Sequence, residues 1–248
     1  MFEDTGKGFV NGAEGAEESV KFGIVAATSH PQVDCAKVNY SKAPWAAEPD
    51  QCINYVSCHD NQTLYDKLLL TSGGTHSAAE IELMDKMANA IVLTSQGVPF
   101  LHAGEEMLRT KHGEHNSFNQ PDAVNQIDWD GKRQHAGVFK YYQGLIALRK
   151  AHPAFRMASA AAISRNLKFL ETVPPHVLAY SLNGRAAGDS WDEIFVIFNA
   201  NRTAASVAVP PGHWRVAVTG TEVDLSSQKT VEGSALAIPA LSSWILQR

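Results

Sequence analysis

The sequence has few cysteines, few charges and no long apolar run. Its three cysteines, Cys35, Cys52 and Cys58, form no Cys-x-x-Cys pair, which argues against a disulfide scaffold and a structural zinc site. No apolar run approaches the roughly 18 residues that a membrane-spanning helix needs. The first six residues also lack the basic and apolar regions of a secretory signal peptide. These absences leave the cellular compartment open.

Charge is low in amount and slightly acidic in balance. Charged residues make up 19% of the 248 residues, and the formal net charge at pH 7 is −5. This balance argues against nucleic acid or an anionic membrane as the main partner. Hydrophobic residues make up 44%, which is enough for a packed core and argues against wholesale disorder. The length suits one large domain or two small ones.

Residues 1–155 are predicted to alternate strands with helices. Apolar residues recur at steps of three and four where helices are expected, and short β-prone runs end in polar clusters. The predicted helices are near 17–25, 78–94 and 135–150, and the predicted strands are at 53–58 and 98–104. Two successive strand–loop–helix units indicate an α/β architecture in this region.

The pattern changes after about residue 155. Short β-prone runs dominate residues 156–248 and are separated by turn residues such as Pro210, Pro211 and Gly212. Strands spaced in this way are typical of a small antiparallel β-sandwich. The predicted strands are 177–182, 193–198, 205–209, 213–218, 235–238 and 243–247.

Polar residues follow both predicted strands of the first region. His59, Asp60 and Asn61 come directly after the first strand, where a barrel of βα units places its active-site residues. The alternative is an Asx turn or a helix cap built on Asp60. Glu105 and Glu106 follow the second strand. They are either catalytic acids or buried ion-pair partners, and the structural interpretation is favoured.

A histidine-rich stretch lies near the second strand. His102, Glu105, His112 and His115 occur at H-x-x-E and H-x-x-H spacings. Neither spacing places two ligands one helical turn apart on one face, as the zinc peptidase motif does. We therefore expect no metal site in this cluster.

Several segments resemble the α-amylase superfamily of glycoside hydrolases, and more narrowly its type I pullulanases. Residues 56–61 (VSCHDN) are similar to the fourth signature of the superfamily, and residues 97–106 (GVPFLHAGEE) to its eighth barrel strand. Lys111, the NSFN of 116–119 and the segment 122–129 are similar to the pullulanase loop that follows. Residues 141–155 resemble the last barrel helix, and residues 239–244 (PALSSW) the closing strand of the C-terminal sandwich.

The resemblance implies the fold and also what is missing from it. Residues 1–155 would be the C-terminal part of a catalytic (β/α)8 TIM barrel, with strands seven and eight, and residues 156–248 a C-terminal antiparallel β-sandwich. The family's nucleophilic Asp, its acid/base Glu and its first signature have no counterpart here. A complete barrel alone takes roughly 250 residues. We therefore expect the C-terminal part of a longer enzyme whose native N-terminus is missing.

The resemblance also implies roles for particular residues. Asp60 would stabilise the transition state, His59 would hydrogen-bond the same sugar, and Asn61, Asp122 and Asn125 would bind substrate. The expected substrate is an α-glucan with α-1,6 branches, such as pullulan, starch or glycogen, cleaved with retention of configuration. The expected partner is the missing N-terminal barrel portion. No cofactor is implied; the family sometimes binds calcium, but no ligand set for calcium is identified in this sequence.

A non-catalytic module remains an alternative of a different class. A carbohydrate-binding or structural protein could keep the sandwich and discard the chemistry. Exposed aromatic platforms would favour that interpretation. Trp191, Trp214 and Trp244 lie in separate runs, and isolated tryptophans are more often core residues. The fragment itself is expected to be inactive alone, because both catalytic carboxylates lie outside it.

Overall fold

The computed structural model describes residues 6–248. The first five residues, which belong to the stretch without a signal-peptide pattern, lie outside the described residues. The helices are α1 (Glu17–Ile24), α2 (Leu64–Ser72), α3 (Ala78–Thr94), α4 (Asp122–Asn125), α5 (Gly131–Gln134), α6 (Ala136–Ala151) and α7 (Ala160–Asn166). The strands are β1 (Ile53–Asn54), β2 (Val98–Pro99), β3 (Leu167–Phe169), β4 (Val177–Asn183), β5 (Glu193–Asn199), β6 (Ala205–Ala208), β7 (His213–Val218), β8 (Thr230–Glu232), β9 (Ala235–Ile238) and β10 (Ser242–Gln247).

The three predicted helices are confirmed as α1, α3 and α6. Helix α3 begins with a capping box, in which Ser77 Oγ accepts from the Glu80 amide and Glu80 accepts from the Ser77 amide. Helix α2, helix α7 and the two short helices α4 and α5 were not predicted. Helix α2 nevertheless carries a readable start signal, since the Thr63 side chain accepts from the Asp66 amide, and it ends at Gly73 with φ of 54°. A Thr-x-x-Asp start and a glycine in the left-handed region are ordinary helix boundaries.

The two predicted strands of the first region are much shorter than expected. Instead of spanning 53–58 and 98–104, β1 and β2 have two residues each. They pair in parallel, Ile53 with Val98 and Asn54 with Pro99. Within residues 6–248 each strand has only the other as a ladder partner. A strand continues only where a neighbour takes its backbone hydrogen bonds, so the ladder stops where the two chains diverge.

The second region forms a two-layer β structure. Among residues 6–248, six strands form one antiparallel sheet in the order β3-β4-β5-β10-β7-β8, and β6 pairs with β9 in a separate antiparallel ribbon. All six predicted strands are confirmed with ends within one residue. The short strands β3 and β8 were not predicted, and both lie at the edges of the six-stranded sheet.

Both faces of the six-stranded sheet are covered. Along β5, Phe195 and Ile197 point to a core shared with the β6–β9 ribbon. Ile194, Val196 and Phe198 point to the opposite core, which is shared with helices α3 and α6. Successive side chains of a strand point to opposite faces, so a continuous apolar run such as β5 is what a doubly covered strand requires. This second core runs without interruption across residue 155.

Polar side chains reinforce the junction between the helices and the sheet. The buried guanidinium of Arg149 on α6 donates to four carbonyls, those of Leu93, Ser95, Gly97 and Phe155. These bonds fix the chain between α3 and β2 and the turn after α6. None of the helices described between residues 6 and 248 has the length and hydropathy needed to cross a membrane.

Candidate functional site

The ends of β1 and β2 lie side by side because the two strands are parallel neighbours. Their common orientation brings the segment after Asn54 and the segment after Pro99 to one edge. The side chain of Asn54 fixes β1 against the helices by donating to the carbonyls of Gly23 and Gln96, at 3.1 and 2.8 Å. Side chains that follow the carboxyl ends of neighbouring parallel strands are the usual source of ligand sites in α/β folds.

His59 and Asp60 lie together and face solvent. Their side chains are 87% and 76% exposed, and His59 Nε2 is 3.7 Å from Asp60 Oδ1. Asn61 follows in the left-handed region with φ of 60°. Within the described chain the Asp60 carboxylate accepts no backbone N–H, and the cap of α2 is supplied by Thr63 instead. The carboxylate is therefore not occupied by a turn or a cap and is open to a ligand.

A buried lysine holds this segment in place. Lys111 is 1% exposed, and its ammonium donates to the carbonyl of His59 and to Ser117 Oγ, both at 3.1 Å. Burial is the largest cause that lowers its pKa, followed by the charge of Arg109, while Asp66 and Asp60 act in the opposite direction. Lys111 thus joins the segment after β1 to the loop that contains Ser117.

Asp66 fixes the backbone at Lys111. Its carboxylate, on the first turn of α2, accepts from the Lys111 amide at 2.7 Å and from the Thr110 hydroxyl. Asp66 is 4% exposed, so both oxygens are used inside the protein. A buried carboxylate that accepts several hydrogen bonds is a strong positional restraint.

Arg109 is the second cationic brace of the site. Its guanidinium donates to His102 Nε2 at 3.2 Å, to the Ala103 carbonyl at 3.0 Å and to the Asn125 carbonyl at 2.7 Å. Because Nε2 of His102 accepts, the proton of the neutral ring belongs on Nδ1. Burial first, and then Arg109, lowers the pKa of His102 to about 4. Its Nδ1 is buried with no partner in the described chain.

The turn that places Arg109 depends on a glycine. Gly104 has φ of 99°, and a Cβ there would lie 2.7 Å from Arg109 Cδ and 2.8 Å from Arg109 Cβ. The Gly104 amide donates to the Glu106 carboxylate at 2.9 Å.

Within residues 6–248, the two glutamates after the second strand, Glu105 and Glu106, do not form the ion pairs expected from the sequence. The buried Glu105 accepts from Ser57 Oγ. The expected ion pair is wrong for both acids, because neither contacts a cation in the described part of the chain.

The residues predicted to bind substrate occupy different surroundings. Asn125 donates from Nδ2 to the carbonyls of Ser117 and Gln120, at 2.7 and 3.0 Å, so its amide nitrogen braces the loop. Asp122, at the start of α4, is exposed. Neither Asn61 nor Asp122 makes a side-chain hydrogen bond within residues 6–248. His59, Asp60 and Asn125 are therefore linked through Lys111 and Ser117, whereas Asn61 and Asp122 stand outside that network.

A cavity of about 530 Å³ lies beside this network, between α2, the turn after β2 and the α4–α5 segment. Arg109 and Gln126 line it, together with Gln134, His135 and the 69% exposed Trp129. The described residues show no group of three or more His, Cys, Asp or Glu side chains arranged to hold a metal ion. Aromatic faces beside amide and imidazole groups suit a neutral polar ligand.

Arg109, Asp66 and the structural role of Lys111 were not predicted from the sequence. Asp66 lies 45 residues from Lys111, and Lys111 lies 52 residues from the His59 carbonyl that it holds, so no local spacing reveals these contacts. The one local signal for these roles was the pair of cations Arg109 and Lys111, which stand just before a loop rich in Asn and Asp.

The three tryptophans of the second region do not form an exposed platform. Trp214 and Trp244 are buried core residues, and Trp191 stacks on His152 with ring centroids 3.5 Å apart.

Comparisons with known proteins find similarity to pullulanases. The model of the pullulanase all-beta domain matches residues 163–222. The pullulanase of Bacillus subtilis strain 168 is 42% identical over 168 residues, which cover 68% of this chain and 23% of that protein. The chain thus spans less than a quarter of the length of this curated relative.

Solved structures match over the whole chain. The pullulanase from Bacillus acidopullulyticus has a TM-score of 0.89 at 38% identity, covering 100% of this chain and 28% of its own. The type I pullulanase from Bacillus subtilis strain 168 complexed with maltose has a TM-score of 0.89 at 33% identity, covering 99% of this chain and 33% of its own. This chain is a homologue of the pullulanases that corresponds to only part of their length.

Proposed function

We propose that the chain is the C-terminal part of a pullulanase-like glycoside hydrolase that cleaves α-1,6-glucosidic branches in pullulan, starch or glycogen by a retaining mechanism. One observation carries the proposal: an exposed His59–Asp60 pair stands at the carboxyl end of a parallel strand pair, in a chain that aligns along its full length with pullulanases. The maltose complex of a relative supports an α-glucan as the ligand class.

The proposed architecture assigns residues 1–155 to a (β/α)8 barrel and residues 156–248 to a β-sandwich. Strands β1 and β2 would be strands seven and eight. Their outward face is apolar and exposed: Ile53 is 59% exposed, Val98 43%, and Tyr55 and Phe100 contact each other edge to face. A barrel interior is filled with such side chains. The proposed partner is therefore the N-terminal barrel portion, which would cover this face and supply the remaining strands.

The proposed mechanism divides the work between the two portions. Retaining glycosidases use a nucleophile and an acid/base about 5–5.5 Å apart, and both would come from the N-terminal portion. Asp60 would stabilise positive charge that develops on the sugar, which raises the rate because the interaction is stronger in the transition state. His59 would hydrogen-bond the same sugar unit. Asn61, Asp122 and Asn125 would bind substrate.

Complementation tests this division directly. The chain alone is expected to release no sugar from pullulan above a buffer blank. Mixed with the N-terminal portion of the Bacillus subtilis relative, it is expected to restore hydrolysis, and the Asp60→Asn chain is not. Hydrolysis by the clean chain alone would contradict the proposal. If the complex assembles but stays inactive while the chain still binds glucan, the non-catalytic module becomes the better account.

The cavity beside α4 is proposed to hold further glucosyl units. Trp129 offers an exposed ring face for a sugar, and we take the roughly 0.5–1.5 kcal/mol that pairs of aromatic rings gain as the scale of such a contact. Trp129→Ala should weaken retention of the chain in a glucan-containing gel by about 3–10-fold. Trp45 is 57% exposed and does not line this cavity, so Trp45→Ala is the matched control and should migrate as the parent. Equal migration of both variants would exclude Trp129 from glucan binding.

A further inference from the structure

A cluster of buried polar side chains lies beneath the candidate site. Asp85 and Asn89 stand one turn apart on α3, Tyr142 faces them from α6, and Glu105 comes from the turn after β2. Each of these four is at most 3% exposed. Ser57, which precedes His59 and Asp60, donates to Glu105. The cluster therefore connects the two helices to both segments of the candidate site.

The cluster has more acceptors than donors if both acids are ionised. The Tyr142 hydroxyl donates to Asp85 Oδ1 at 2.7 Å, and Asn89 Nδ2 donates to that hydroxyl at 2.6 Å. The Ser57 hydroxyl donates a hydrogen bond to one oxygen of Glu105. Three buried oxygens remain without a partner in the described chain: Asp85 Oδ2, Asn89 Oδ1 and Glu105 Oε2. A buried polar atom left unpaired costs about 1–3 kcal/mol.

Cations compensate the two carboxyl groups only slightly. The ammonium of Lys86 on α3 lowers the pKa of Asp85, but it is paired with Glu82 at 2.6 Å and its influence is smaller than that of burial. Glu82 and Glu106 add further negative charge near Asp85 and Tyr142. In the described part of the chain, neither Asp85 nor Glu105 forms an ion pair. Two buried, unpaired negative charges are strongly unfavourable.

We infer that the cluster of Asp85, Asn89, Glu105 and Tyr142 keeps at least one carboxyl proton at neutral pH. A proton on Asp85 turns an unpaired acceptor into a donor, one helical turn from the unpaired oxygen of Asn89. It also removes a buried charge. The same proton thus lowers both the excess of acceptors and the buried charge of the cluster.

The electrostatic surroundings act in the same direction. Burial is the largest cause that raises the pKa of Asp85 well above its usual range, and it outweighs the hydrogen bond from Tyr142. Burial also raises the pKa of Glu105 to about 7, against the hydrogen bond from Ser57. An acid whose pKa is higher in the folded state binds more protons there than in the unfolded chain. The resulting stability is complete below its unfolded pKa and is lost as pH rises toward the folded value.

Denaturation between pH 5 and pH 9 tests the inference on the chain itself. In the parent, the unfolding equilibrium constant should rise with pH, by at most about tenfold per pH unit for each proton. Asp85→Asn, which mimics the neutral acid but needs no proton, should be at least as stable as the parent at pH 7 and show a shallower pH dependence. Glu105→Gln should act in the same way. Infrared spectra of the parent at pH 7 should contain a protonated carboxyl band that the double variant lacks.

Asp66 supplies a matched control, because it is also a buried aspartate but both its oxygens accept from donors. Asp66→Asn should destabilise the chain at every pH tested. The inference is overturned if Asp85→Asn is as damaging at pH 7 as Asp66→Asn, or if the parent lacks the infrared band. A parent that gains stability from an added cation, while Asp85→Asn does not, would identify a cation site in place of a proton and also overturn it.

Discussion

At the residue scale, Asp60 is either a charged group that stabilises the transition state or a residue that only forms a turn. Asn has the same shape and forms the same Asx turns, but it lacks the charge. In the complemented enzyme, Asp60→Asn should therefore lower kcat by about 10²–10³, with little change in KM, if the carboxylate stabilises the transition state. The steady-state rate on pullulan measures this. A fall of less than about fivefold, under 1 kcal/mol of barrier, would remove Asp60 from the proposed machinery.

Lys111 carries a second prediction at this scale. Lys111→Met keeps much of the buried aliphatic volume but leaves the His59 carbonyl and Ser117 Oγ without their donor. We expect the free energy of unfolding to fall by about 1–3 kcal/mol, measured by urea denaturation. Lys140, which is exposed on α6, provides the control, since Lys140→Met should change stability by less than about 0.5 kcal/mol. If the two variants lose the same free energy of unfolding, the hydrogen bonds of Lys111 do not stabilise the fold.

The sequence predicts the exposed part of the site better than its support. His59 and Asp60 follow a β-prone run, so their place at a strand end could be inferred locally. Arg109 acts on His102 and Asn125, and Asp66 acts on a loop more than forty residues away. The Asp66 contacts arise only when α2 and the segment after β2 pack together. The spacing of residues within either segment does not predict that packing.

At the scale of elements, strands with two neighbours were easier to predict than strands with a single partner. Strand β5 is buried on both faces, and its apolar run marks its bounds. The runs at 53–58 and 98–104 are also β-prone, yet only two residues of each pair. Pairing depends on neighbouring strands, and within residues 6–248 β1 and β2 have only each other.

This difference in pairing predicts a difference in hydrogen exchange. The Phe100 amide donates to the Asn54 carbonyl at the open edge of the β1–β2 pair, whereas Val196 lies in β5 between β4 and β10. We expect the Phe100 amide to exchange through local opening and the Val196 amide only near the global unfolding limit. Exchange monitored by NMR, or by mass spectrometry of peptides, measures both. Equal protection of the two amides would contradict this ranking.

At the scale of the whole molecule, the two regions share one core instead of meeting at a thin interface. Helices α3 and α6 cover one face of the six-stranded sheet. Tyr180 on β4 donates to the Thr94 carbonyl at 3.2 Å, and Tyr141 on α6 donates to the Thr219 carbonyl at 3.1 Å. Large buried interfaces of this kind oppose independent motion of their two sides. The sheet therefore acts as a rigid support for the helices that carry the candidate site.

Gly144 provides a sensitive test of this shared core. It lies in the middle of α6, where replacing glycine by alanine ordinarily gains about 1 kcal/mol of helix stability. Here an added Cβ would lie 2.5 Å from the Cβ of Val223 in the β region. Overpacking of this kind costs about 1–3 kcal/mol. We therefore expect Gly144→Ala to lower the free energy of unfolding, which reverses the ordinary sign.

Two further variants make the sign of this effect decisive. Gly137 lies on the same helix, and a Cβ there meets no atom within 4 Å, so Gly137→Ala should stabilise the chain by about 0.4–1 kcal/mol. Adding Val223→Ala to Gly144→Ala removes the clashing methyl groups. In a double-mutant cycle by urea denaturation, the two changes should then be coupled by more than about 0.5 kcal/mol, with the pair less damaging than the sum of its parts. Additive losses, or a gain from Gly144→Ala alone, would mean that α6 and the β region do not pack as closely as their shared core requires.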